Sequence, residues 1–264
     1  MTSPELCNTL LATPPTGAPP LWDGGSGRAR LQWYLPPRRS YSRRELRADH
    51  CVNFFGAALS WFMLPMLLYA SHQKGDPCLK QTGFLVQGFC SIVMFHCSAF
   101  YHHLSWQWDR VPVLLTLDHF GVNAMIVGTF TPWMVILRCY YAWSFVVTLS
   151  CIGLAMECVK LRRPDLQLSG GGTGIWKRFD YVHGILYISM GATALPLVAL
   201  YATCFPPEVM QRVLIALATY AAGVLFLASE KLEFHLAVWH SCVLCASVIF
   251  WVLSVQNIAG QHLS

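Results

Sequence analysis

The chain has 264 residues, 55% of them hydrophobic and only 12% charged, with a formal net charge of +5. Soluble domains carry roughly twice that charged fraction, so a water-soluble globular fold is excluded, and nothing in the composition points to nucleic acid. Residues 1–44 carry proline pairs at 14–15, 19–20 and 36–37, a GGSG run at 24–27 and few aliphatics. Such a segment cannot bury enough apolar surface to offset its chain entropy and is predicted to be a disordered cytosolic tail. Its early apolar patch, Leu10–Ala12, is too short for a signal peptide. The tail ends in Arg38, Arg39, Arg43, Arg44 and Arg47, a run expected to set orientation and either to meet anionic headgroups or to stay solvated.

Seven apolar segments of about 20 residues, the length a spanning helix needs, follow in order. They run Cys51–Ser71, Thr82–His102, Leu114–Leu137, Tyr140–Val159, Tyr181–Phe205, Val209–Ser229 and His235–Ser254. Little chain is left between them, so residues 45–264 are predicted to form one all-α domain, a seven-transmembrane helix bundle. Alternate connections on the tail's side hold fourteen Lys and Arg, against four (Lys74, Lys80, Arg138, Arg212) on the other side. The positive-inside rule then puts the N-terminus in the cytosol and the C-terminus outside. That orientation is the reverse of a G-protein-coupled receptor, and the last span has no lysine for a Schiff base.

On this topology the polar residues of the spans gather at the cytosolic end. Ser98 and His102 close the second span, Asp118 opens the third, Glu157 closes the fourth, Asp180 and His183 begin the fifth, and His235 and His240 begin the seventh. Ionisable groups are costly in hydrocarbon, so such a gathering marks a functional site. Ser98 and His102 are four apart and share a helix face. Histidines beside a carboxylate are what a zinc site with bound water uses, with Asp118 placed to hold that water or accept its proton. His96, flanked by Phe95 and Cys97, reads as a core residue, and His183 as supporting or structural.

These residues carry a resemblance. SAFYHH is similar to a serine-x-x-x-histidine motif, LDHFGVNAMIVGTFTP to an aspartate-histidine stretch followed by glycine-threonine-aromatic-threonine-proline, and AVWHSCVLCAS to an alanine-isoleucine-tryptophan-histidine close. Together with ELRADHCVNFFGA at the start of the first span, they resemble the hemolysin III and progestin/adipoQ receptor family over roughly residues 45–252. The resemblance implies seven helices, a cytosolic N-terminus and a Zn2+ ion held by three histidines near the cytosolic face. His102 and His240 would be ligands, Ser98 the motif serine and Asp118 the water-holding carboxylate. The wider superfamily includes alkaline ceramidases, which implies hydrolysis of a sphingolipid amide. Other members are described as receptors for hormones or steroids.

Two departures stand out. The family's last motif places two histidines four apart, whereas Leu236 occupies the position four before His240, and His235 lies five before. Five residues separate two side chains by about 140° on a regular helix, against about 40° for four. His235 serves as the third ligand if the helix begins irregularly after Glu233 or carries a π-bulge; otherwise His103, His119 or His183 completes the site, or the site is empty. In addition, Asn53 stands where the family often has a histidine. Two functions remain open: a zinc-dependent, ceramidase-like membrane hydrolase acting on membrane lipid, and a receptor or interaction protein without turnover. Organelle and homo-oligomerisation are left open. Pro132 and Pro196 are expected to kink their spans, Gly128 to mark close helix approach, and the SGGGTG loop at 169–174 to be a flexible turn. Cys78, Cys139 and Cys204 fall at the predicted outer face, where a disulfide is compatible with the compartment.

Overall fold

A computed structural model of the protein describes residues 41–104, 111–162, 175–194, 200, 202–229 and 231–258. The tail up to residue 40, the 169–174 loop and Pro196 lie outside the described residues, as do the side chains of Asp180 and His183. The described chain is all-helical: α1 (Arg43–Gln73), α2 (Cys78–Leu104), α3 (Val111–Ile136), α4 (Tyr140–Arg162), α5 (Ile175–Ala192), α6 (Pro207–Ala228) and α7 (His235–Leu253), the last closing in a π-helical turn, Ser254–Ile258. Six of these, all but α5, are long and apolar enough to cross a membrane. Helix α5 carries Lys177, Arg178 and Asp180 in its first two turns and ends at Ala192, thirteen residues before the predicted end at Phe205.

Helix α1 begins two turns before the predicted start at Cys51, and local chemistry explains why. The Ser42 hydroxyl accepts the Glu45 N–H at 3.2 Å while the Glu45 carboxylate accepts the Ser42 N–H at 2.8 Å. This reciprocal capping box satisfies two otherwise unpaired donors and fixes the start of the helix at Arg43. The extension carries Glu45 and Asp49 onto the helix, both buried.

Helix α2 packs between α1 and α3; α7 packs against α6 and α1, α4 against α3, and α5 against α4. Small residues set the α1–α2–α3 spacing. A Cβ on Gly88 would lie 2.5 Å from Leu64 Cδ1, and one on Gly128 would lie 2.5 Å from Cys90 Cβ. Without a strong hydrophobic drive between helices in lipid, such close backbone approach supplies the contact that holds them. Two apolar clusters fill the interior: Leu67, Phe84, Trp133, Val213 and Phe250 with their neighbours toward one end, and Ala57, Met94, Phe95, Met125 and Val243 nearer the other. Large apolar side chains such as Phe55, Trp61, Phe62 and Tyr69 point outward, as a lipid-facing surface requires.

The end near the α1–α2 turn is closed by a buried ion pair. Lys80 Nζ lies 2.8 Å from Asp76 Oδ1, and the Ser71 hydroxyl donates to Asp76 Oδ2 at 2.8 Å. The opposite end, where α1, α3 and α7 begin and α2 and α4 finish, gathers the remaining buried charged groups.

Candidate metal centre

Three helices bring one side chain each to a common point. Asp49 comes from the second turn of α1, His102 from the last turn of α2 and His240 from the second turn of α7. Asp49 Oδ2 lies 2.9 Å from His102 Nδ1, and Asp49 Oδ1 lies 2.6 Å from His240 Nδ1. The two imidazoles meet edge to face, centroids 4.5 Å apart at 78°. Ligating atoms of the three residues lie within 4.8 Å of one another, close enough to share one ion. Asp49 is 3% exposed and His240 5%, so the group is shielded from bulk solvent.

The next turn of α1 adds Asn53, whose Nδ2 donates to the Asp49 backbone oxygen at 3.0 Å and lies 3.2 Å from His240 Nδ1. The 2.6 Å contact to the carboxylate is in the range of charge-assisted hydrogen bonds, so Asp49 rather than Asn53 fixes the His240 ring. Asn53, standing where the resembling family often has a histidine, therefore sits at the edge of this group. On the α2 side, His50 Nε2 lies 3.0 Å from the His102 carbonyl, tying the α2 terminus to α1.

The structure brings together two of the residues singled out from sequence and adds a third. His102 and His240 meet at Asp49. Ser98, 1% exposed, lies one turn before His102 on the same face of α2. Asp118 is half-buried in the second turn of α3 and is not a member of the three-residue group. His235 is the first residue of α7, preceded by Phe234 in the left-handed region at φ 60°, so the helix does begin irregularly. Its Nε2 lies 3.2 Å from the Tyr41 hydroxyl, and the two rings stack with centroids 5.8 Å apart. His235 therefore lies beside the group and not in it.

His103, His119 and His96 have partners of their own. His103 packs against His50 and Phe54. His119 Nδ1 lies 2.9 Å from Glu157 Oε1, and the Thr116 hydroxyl lies 3.3 Å from Glu157 Oε2. Glu157 is fully buried, which makes this a second polar junction, between α3 and α4. His96 is held by the Ile92 carbonyl at 2.8 Å and by the Trp61 indole N–H at 3.2 Å, as a packed structural histidine should be. Cys78, Cys139 and Cys204 carry free thiols.

Asp49 is the residue that sequence reasoning missed, because the apolar run begins two residues after it. The Ser42-x-x-Glu45 capping box was the available signal: it starts α1 early enough to place Asp49 and Asn53 four apart on one helical face.

The profile of haemolysin-III-related proteins matches residues 50–251. "Hemolysin-3" of Bacillus cereus is 26% identical over 225 residues, covering 81% of this chain and 94% of that protein. "Hemolysin-3 homolog" of Bacillus subtilis (strain 168) is 22% identical over 216 residues, covering 81% and 95% respectively. Both alignments are long enough to take in most of the helical domain.

Proposed function

The chain belongs to the haemolysin-III-related family, and we propose that it is a zinc-dependent membrane hydrolase cleaving the amide of a ceramide-like lipid. Its helices and its family fit an integral multi-pass membrane protein. The finer topology we propose is seven spans with the N-terminus in the cytosol and the C-terminus outside, so that the metal centre lies near the cytosolic leaflet. The excess of Lys and Arg on the tail's side supports that orientation.

The observation that carries the reading is the buried Asp49–His102–His240 group. Two imidazoles and a carboxylate form the donor set of hydrolytic zinc sites that keep a further position for water or substrate. When bound, zinc would supply Lewis acidity toward a carbonyl and toward water. The residues would share the remaining work. Asp49 meets both rings at their Nδ1 atoms and would join them as the third ligand. Asp118 accepts the proton of the attacking water, and Ser98, one turn from His102, helps to orient the reactants. Water oxygen adds to the amide carbon, the C–N bond breaks, and the proton passes to the departing amine, giving a fatty acid and a sphingoid base.

A second reading, a receptor or interaction protein without turnover, rests on one feature. Asp49 already accepts from both imidazoles at hydrogen-bonding distance, so the group is satisfied without an ion. Release of sphingoid base from ceramide in detergent micelles separates the two. The hydrolase reading expects release by the wild type and none by His240→Ala. Wild-type protein that binds zinc stoichiometrically but releases no product from ceramide would favour the second.

A further inference from the structure

His235 opens α7 and faces a different set of groups from His240. It is 2% exposed. Its Nε2 meets the Tyr41 hydroxyl, while its Nδ1 is buried and has no hydrogen-bond partner among the described residues. A buried polar atom of this kind is uncommon and needs a partner. A neutral imidazole has one donor and one acceptor nitrogen. A Tyr41 hydroxyl that donates to Nε2 leaves the proton on Nδ1, which then requires an acceptor.

A cavity of about 10 Å³ lies at the α1–α7 junction, lined by residues that include Tyr41, Glu45, Asp49, Phe234 and His235. That is about the room one water takes. Two carboxylates line it. Glu45 is already engaged, with one oxygen accepting the Ser42 N–H at 2.8 Å and the other the Phe234 N–H at 3.2 Å. Asp49 accepts one imidazole N–H on each oxygen and the Asn53 amide on Oδ1 at 3.5 Å, which leaves one of the about four lone-pair positions of a carboxylate. Donor, acceptor with spare capacity and a water-sized space thus meet at one place.

We propose that His235 is a positioning residue of the metal centre: one water in the α1–α7 cavity links its Nδ1–H to the Asp49 carboxylate and fixes how that carboxylate faces a bound ion. This rests on the reading of Asp49, His102 and His240 as ligands. It also gives the out-of-register histidine a role. Five residues from His240, His235 acts on the opposite side of Asp49 and does not join the ligands. In that tautomer the Tyr41 hydroxyl donates to Nε2, and Glu45 holds the preceding Phe234 N–H.

The test is zinc affinity of the full-length protein in detergent, measured by competition with a chromophoric chelator, together with the visible absorption of the Co2+-loaded form. His235→Phe should bind one ion per chain with about 10- to 100-fold weaker affinity, the usual effect of losing such a support, and unchanged Co2+ band positions. His235→Gln, which can still reach the water, should recover most of that loss. In an Asp49→Asn background, His235→Phe should change affinity less than about twofold, because its effect runs through the carboxylate. Tyr41→Phe, which leaves α7 intact, should weaken binding in the same direction and serves if His235→Phe does not fold. Wild-type affinity in both His235→Phe and Tyr41→Phe would overturn the proposal, and so would an equal loss with and without Asp49. Shifted Co2+ bands in His235→Phe would make His235 a direct ligand instead. Wild-type protein that binds no zinc would refute the underlying metal reading, a result distinct from the others.

Discussion

Replacing Asp49 with Asn probes how far one carboxylate holds the α1–α2–α7 junction together in the metal-free protein. Asp49 accepts from His102 Nδ1 at 2.9 Å and from His240 Nδ1 at 2.6 Å, and its side chain is 4% exposed. Asn offers one acceptor oxygen and turns the other position into a donor, so one imidazole N–H is left facing N–H. An unpaired buried donor costs about 1–3 kcal/mol. Losing the charge assistance on the surviving bond removes about 1 kcal/mol more. The sum is about 2–4 kcal/mol, which for a chain of this size lowers the unfolding midpoint by about 4–16 °C. Thermal unfolding in detergent, after chelator treatment to remove metal, reads this directly. An Asn variant that unfolds within 1 °C of the wild type, or above it, would refute the reasoning, because the carboxylate would then contribute nothing to the metal-free junction.

Other consequences can be checked in parallel. Asp76→Ala leaves Lys80 buried without its carboxylate and should destabilise the protein by about 3–5 kcal/mol in the same unfolding assay, whereas Asp76→Leu with Lys80→Met should recover most of that loss. Gly128→Leu forces a side chain into Cys90, where even a Cβ would approach to 2.5 Å, and should cost at least about 1–3 kcal/mol of stability. Asp118→Ala should slow ceramide hydrolysis by about 10²- to 10⁴-fold, the usual weight of a general base, while leaving the zinc content unchanged; unaltered turnover would remove Asp118 from the mechanism.

Much of the helical layout can be read from hydropathy. Predicted and observed starts coincide at Tyr140 for α4 and at His235 for α7, because each apolar run begins where a turn ends. The start of α1 could not be read this way: a capping box, not hydrophobicity, carries the helix eight residues beyond the apolar run. That extension is what supplies Asp49. Its partnership with His240 spans 191 residues, and no local pattern reports a contact set by how α1 packs on α7. The spacing of five set His235 out of register with His240, and only tertiary packing shows its Nε2 beside the Tyr41 hydroxyl. In the fifth segment, apolar length alone suggested a span to Phe205; α5 has only 18 residues and three charges among them, whereas α1, at 31 residues, is long enough to leave its five initial charges outside an apolar stretch of spanning length.

The proposed metal centre needs Asp49, His102 and His240 to hold one ion between them. Metal analysis of the purified full-length protein, by mass spectrometry of the digested sample, tests it most directly. One zinc per chain is expected in the wild type, and its loss in His102→Ala/His240→Ala protein that remains folded. Folded wild-type protein that stays free of zinc after incubation with excess Zn2+ and desalting would contradict it.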